Sequence, residues 1–152
     1  MKFYLPMLFA LLLMSASASA METLEELTAA VRKACENHDG EALWALYHLK
    51  GQPEELTAAY KPFATSIAKH KHMQVQEIKV VAYDEHKSEL PGKFKERELE
   101  FLVKPTHWVK IRMATPEGVK PKDPLLFNKA TMNCLAAKVE GKWQLIGVKF
   151  KE

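Results

Sequence analysis

Hydrophobic positions along this chain change their period twice. An almost unbroken apolar run, Phe3 to Met14, comes first. Spacings of three and four residues follow as far as about residue 72, and alternation takes over from there. Thr23 precedes Leu24, Leu27, Val31, Ala34, Cys35 and His38, which line one face of a helix. Thr23 with Glu26 forms a capping box: a hydroxyl for one orphan N–H and a carboxylate reaching back. Asp39-Gly40 is expected to end this helix, with Gly40 in the left-handed conformation. The pattern predicts a second helix from Glu41 to about His48, carrying Leu43, Leu46 and Tyr47 and stopped by Gly51. Pro53 suits the first turn of a third helix, and Glu54 and Glu55 complement its dipole. Leu56, Tyr60, Phe63 and Ile67 form its buried face, and Pro62 is expected to kink or split it near Ala58 to Lys61.

Beyond Met73 the sequence predicts strands at Val75–Tyr83, Arg97–Val103, His107–Ala114, Leu125–Val139 and Trp143–Phe150. The fourth is long enough to carry a bulge. Pro91-Gly92, Pro105-Thr106, Pro116-Glu117-Gly118 and Glu140-Gly141 supply the turn chemistry. Connections this short imply antiparallel neighbours. Helices followed by a run of antiparallel strands define an α+β domain, with the helices packed on one sheet face.

The leading apolar run changes the picture of where this domain works. Lys2, the run to Met14 and the small-residue exit Ala18-Ser19-Ala20 have the order of a secretory signal peptide over residues 1–20. The expected mature protein is a single domain, residues 21–152, secreted or periplasmic, with no membrane association after cleavage. The formal charge is +3, and one less once Lys2 is removed. That is too small for a nucleic-acid or membrane-surface footprint. Lys93, Lys95 and Arg97 are interleaved with Glu96 and Glu98, as on a solvated face. Cys35 and Cys134 are the only cysteines. In an exported chain they either oxidise to a disulfide or remain two buried thiols, and spacing alone leaves both readings open.

The segment from Ala30 to Tyr47, AVRKACENHDGEALWALY, resembles the opening of nuclear transport factor 2-like domains, the superfamily of SnoaL-like cyclases and ketosteroid isomerase. The segment from Val139 to Leu145, VEGKWQL, resembles their final hairpin. The resemblance implies a curved sheet wrapped around the helices as a cone with an apolar pocket at its mouth. A cystatin-like domain uses a similar order of elements. Such domains serve as isomerases, dehydratases, cyclases, ligand carriers and dimerisation modules, so the fold leaves the function open.

Ketosteroid isomerase chemistry needs inward-facing acids. Asp39, Asp84 and Asp123 fall at turns or strand ends. Glu98 and Glu100 alternate against Leu99, Phe101 and Val103, which puts the carboxylates in water if the apolar set faces the core. The polar residues expected near a pocket are Tyr47, Tyr60, His107 and Asn128. The tyrosines lie on apolar helix faces, His107 shares strand parity with Val109, Ile111 and Met113, and Asn128 shares parity with Met132 and Cys134. Tyr and His can orient or protonate a bound carbonyl compound; the same residues also serve as packed aromatics with a polar rim, a satisfied edge histidine and a turn-supporting asparagine. His70-Lys71-His72-Met73 offers soft and imidazole ligands, but without a third or fourth partner the sequence predicts no metal and no cofactor. The favoured expectation is a non-catalytic binding or interaction domain of unknown ligand, with a small apolar ligand among its candidate partners. A homodimer through the outer sheet face is also expected, since Trp108 and Leu102 lie on the outward parity. Two readings compete: a cofactor-independent lyase or isomerase using Tyr60 and His107, and an inhibitor or accessory protein using the loop Glu117 to Pro124.

Overall fold

The computed structural model of the chain describes residues 21–84, 91–120 and 128–152. The signal segment, Asp123, the 121–124 part of the proline-rich loop and the 125–127 part of the fourth expected strand lie outside the described residues.

The first helix, α1 (Leu24–Glu36), starts at the expected capping box. The Thr23 hydroxyl accepts the Glu26 N–H at 3.2 Å, and the Glu26 carboxylate accepts the Thr23 N–H at 3.1 Å. Leu27, Val31, Ala34 and Cys35 are buried along one face. The helix ends differently from the expectation. His38, not Gly40, takes the left-handed conformation, with φ 54°. The Asp39 N–H then closes on the Ala34 carbonyl at 2.9 Å. Gly40 instead opens α2 (Gly40–Trp44), capped by the Asp39 carboxylate on the Ala42 N–H at 2.9 Å. Its lack of a side chain serves packing: a Cβ there would lie 3.1 Å from the Cβ of buried Thr65.

The second helix is shorter than its apolar stripe suggests. Tyr47–His48 form a two-residue strand, β1, parallel to β7 (Lys142–Ile146). The Leu145 N–H on the Leu46 carbonyl, at 2.9 Å, anchors that pairing. A long-range ladder has overridden a local helical pattern. The third helix, α3 (Glu54–Ala64), runs through Pro62 without a break at 58–61. The Thr65 N–H and hydroxyl both return to the Lys61 carbonyl, at 3.0 and 2.9 Å, and a 3-10 turn follows at Ser66–Lys69.

The main sheet has the order β1-β7-β6-β5-β2, with β2 at Gln74–Ala82, β5 at His107–Ala114 and β6 at Lys129–Val139. A second sheet pairs β3 (Lys93–Phe94), β4 (Arg97–Phe101) and β8 (Val148–Phe150) in the order β3-β4-β8. Val109, Ile111 and Met113 from β5, with Met132, Cys134 and Ala136 from β6, meet Leu27, Val31 and Leu43 in one buried core. This is an α+β domain with its helices against the sheet.

Three strand expectations need correction. The strands at 97–101 and 107–114 are not a hairpin. Between them the chain crosses from one sheet to the other around buried Pro105, with the Leu102 N–H on the Gly147 carbonyl and the Thr106 N–H on the Ala136 carbonyl. The bulge falls in β2, between Val75 and Glu77, rather than in the described part of β6. The last strand breaks in two: β7 pairs with β6, and after Gly147 the chain pairs with β4 as β8.

Gly147 is buried where this exchange happens. A Cβ on it would collide with the Gln52 side-chain carbonyl and meet the His48 carbonyl and Leu102 Cδ1 at 3.2 Å each. Gln52 can swing away, but the His48 carbonyl is backbone and cannot. Gly147→Ala is therefore expected to lower stability by about 1–3 kcal/mol, the usual cost of overpacking. Chemical denaturation would read this as a lower midpoint with unchanged slope; an unchanged midpoint would mean the junction is looser than described.

Candidate functional site

The departure of the last strand opens a cleft. Pairing between β6 and β7 ends at Ala136 opposite Leu145. From there β8 follows β4, while β6 continues beside β5 back to Lys129. The space left at this fork is a cleft of about 580 Å³. Gln52 sits in its apex, accepting the Val148 N–H at 2.9 Å and donating to the Thr57 hydroxyl at 3.1 Å. This carboxamide occupies the first backbone donor that the fork leaves without a strand partner.

Two walls face each other across the gap. One is helical, with Trp44 from α2, and Tyr60, Phe63 and Ala64 from α3. Phe63 stands at the rim with 72% of its surface exposed. The other carries Phe101 from β4 and Trp108 from β5, both backed by the Tyr83 ring at centroid distances of 6.2 and 5.9 Å. The outer sheet is tied to α3 through Glu55, which pairs with Lys95 and Arg97 at 3.6 Å each, and Arg97 stacks 3.4 Å over the Phe150 ring. Among the described residues, none lining the cleft is Asp, Glu, Lys, Arg or His.

At the floor the Tyr47 hydroxyl donates to Cys134 Sγ at 3.4 Å. Burial, and then Cys134, push the Tyr47 phenol well above its usual range. Burial pushes the Cys35 thiol up to about 12 and the Cys134 thiol up to about 11. Both cysteines are free and buried in the structure.

The residues singled out in the sequence separate. Tyr47 and Tyr60 line the cleft, but Tyr47 belongs to β1 rather than to a helix. His107 does not line it. Its ring packs edge-on against Trp143 at 5.3 Å, and its Nδ1 lies 3.0 Å from the Thr106 hydroxyl. Asn128 is an exposed residue just before β6 whose carbonyl accepts the Thr115 N–H at 2.9 Å. Tyr60 and His107 are thus not joined in one cavity. Glu98 and Glu100 lie at the surface, paired with Lys151 at 3.1 Å and Lys149 at 2.9 Å. Trp108, expected on an outward face, is half-buried beside the cleft, and Leu102 is half-buried at the Gly147 junction. His70 and His72 lie edge-on at 5.9 Å, and burial, then the charge of His72, lower the His70 pKa. Among the described residues no three His, Cys, Asp or Glu side chains converge as a metal site.

Sequence reasoning missed Trp44, Gln52, Phe101 and Asn133. Phe101 was reachable by alternation, but the direction it faces depends on the second sheet. Gln52 carries no local signal, because its role exists only against Val148, far along the chain.

In comparisons with known proteins, no family model matches the chain, and no curated protein matches it at a significant level. A solved structure from Campylobacter jejuni, provisionally described as an NTF2-like transpeptidase, is similar to it at a TM-score of 0.42 and 13% identity. The match covers 81% of this chain and 97% of that one. A likeness of this degree carries nothing about chemistry.

The raised thiols make a prediction with a definite sign. Their protonated forms are favoured in the folded protein, so their contribution to stability is complete below the ordinary thiol value of 9.0 and fades as pH rises through about 11 and about 12. The stability advantage of the natural chain over a Cys35→Ala, Cys134→Ala variant is expected to be constant up to pH 9 and to shrink above it. Denaturant midpoints across this range would show it; a gap of constant size up to pH 12 would contradict the assignment.

Proposed function

We propose that this chain is an exported, non-catalytic binding domain whose cleft takes an uncharged, largely apolar guest. The observation that carries the reading is that no described residue of the lining is charged, in a chain of which 27% is Asp, Glu, Lys and Arg. Removing a charge from water without a partner costs several kcal/mol or more, about an order above what a single apolar contact returns. A charged guest would meet no counter-ion among the described lining residues, whereas an apolar one gains contact with Tyr60, Phe63, Phe101 and Trp108. The volume is within the ordinary range for small-molecule sites.

Two observations support binding over reaction. His107, the base of the enzyme reading, packs on Trp143 outside the cleft. The Tyr47 hydroxyl is engaged by Cys134, and burial holds the phenol protonated. Export rests on the order of charge, apolar run and small residues in positions 1–20.

The test is saturable binding of the uncharged dye Nile red, read as a blue shift and gain in emission. One molecule per chain is expected to bind. Phe63→Ala is expected to weaken it about tenfold, since a rim aromatic covering the guest is worth roughly 1–2 kcal/mol. Binding that never saturates, or that ignores Phe63→Ala, would count against the cleft. For export, the protein recovered outside the cytoplasm is expected to begin at Met21 by intact mass; a chain retaining residues 1–20 would refute signal cleavage.

A further inference from the structure

Four consecutive residues of β6, Met132 to Leu135, all line the cleft. Neighbouring side chains on a strand point to opposite faces of a sheet. Met132 and Cys134 are buried towards the core, whereas Asn133 is exposed. A cavity on one face of a sheet is lined by every second residue. Four in a row can line one cavity only if it meets the strand edge-on. The cleft is therefore a gap within the plane of the sheet, as wide as the divergence of β8 from β6 makes it.

The phase of the ladder says what that edge offers. The Thr115 N–H bonds to the carbonyl of Asn128, the residue directly opposite it when the β5–β6 register is extended by one. Hydrogen-bonded pairs therefore recur at every second residue, so Ala130, Met132, Cys134 and Ala136 direct their main-chain groups to β5. Asn133 directs its N–H and C=O the other way, and it lies beyond the point where β7 pairing ends. Among the described residues no strand pairs with it on that side. A guest made only of hydrocarbon would cover these groups without satisfying them, at a cost of about 1–3 kcal/mol. A guest with its own alternating amides would pair with them.

We propose that the guest of this cleft is a short, extended, uncharged peptide segment that adds to the free edge of β6 at Asn133, with its apolar side chains alternating between the helical wall and the Phe101–Trp108 wall. This rests on the cleft being a neutral binding site and names the chemistry of its occupant. Main-chain bonds to Asn133 supply orientation, and the aromatic walls on both faces supply burial, which is the division of labour of strand addition. The absence of charge among the described lining residues matches a segment without Lys, Arg, Asp or Glu.

The experiment uses the chain from Met21 and a capped hexapeptide of alternating valine and phenylalanine, with two further versions N-methylated at one or the other set of alternate amides. Calorimetry reads binding, and amide exchange by NMR reads Asn133. The unmodified peptide is expected to bind and to slow exchange of the Asn133 N–H. Methylation of the set facing β6 is expected to weaken binding at least about tenfold, the loss of roughly two main-chain hydrogen bonds. Methylation of the other set is expected to change it less than about threefold, the smaller loss marking β6 as the paired edge. Asn133→Pro, which removes the donor at an edge where proline is tolerated, is expected to weaken the peptide and leave Nile red binding intact. Equal binding of all three peptides would overturn strand addition, as would Nile red binding without peptide binding. Failure of both probes would overturn the neutral cleft itself.

Discussion

The close approach of Gln52 and the His48 carbonyl to the backbone of Gly147 is the constraint from which the rest of this structure follows. A side chain at position 147 would occupy the space that Gln52 fills. With glycine there, the Gln52 carboxamide caps the Val148 N–H, and the strand can leave β6 without burying an unpaired donor. The same exchange carries Val148 to Phe150 onto β4 and so gives the outer sheet its third strand. Without that strand, β3 and β4 would be a two-stranded ribbon, which is marginal by itself. The cleft, its second aromatic wall and the outer sheet share one cause.

How much of this was legible follows from the range of each interaction. The capping box and the buried face of α1 depend on residues within a few turns, and both are readable in a single pass. The alternation of β5 is equally plain, because Val109, Ile111 and Met113 are all fully buried. Tyr47 shows the limit. Its spacing from Leu43 fits a helix stripe, yet pairing with Leu145, almost a hundred residues away, makes it a strand residue. The β3–β4 hairpin shows another. Its two turn residues, Lys95 and Glu96, adopt φ 48° and 65°, where Asn-Gly would be the usual signal. No sequence rule places a tight turn on a lysine and a glutamate. Conversely, Pro105-Thr106 has turn composition but carries a crossover between sheets.

The site was legible in part for the same reason. Tyr60 sits on an apolar helix face and duly lies at the helical wall. Phe63, on that same face, was expected in the core but is largely exposed. The face of α3 is wider than the body it packs on, because β8 has moved away, and the surplus aromatic surface borders the fork. His107 obeys its expected parity, yet parity says only which face a residue occupies and not how far along the strand the helices reach. At that end of β5 the neighbour is Trp143, and the cleft is elsewhere.

The ionisation of the cleft's own groups bears on what it can do. General acid–base chemistry at neutral pH favours a group that titrates near neutrality, and nucleophilic sulfur needs the thiolate. Here burial acts in the opposite direction on each group at the floor. The Cys134 thiol is raised to about 11, and the Tyr47 phenol is raised well above its usual range by burial and by the neighbouring sulfur. Their mutual hydrogen bond does not rescue a nucleophile, since the phenol donates to a sulfur that stays protonated. The desolvation that makes the cleft hospitable to apolar surface is thus the same effect that silences its titratable groups. A site can combine a dry pocket with a reactive group only by spending a nearby charge to hold that group ionised. Among the described residues the charges lie outside the lining, in the Glu55, Glu98 and Glu100 pairs that brace the outer sheet.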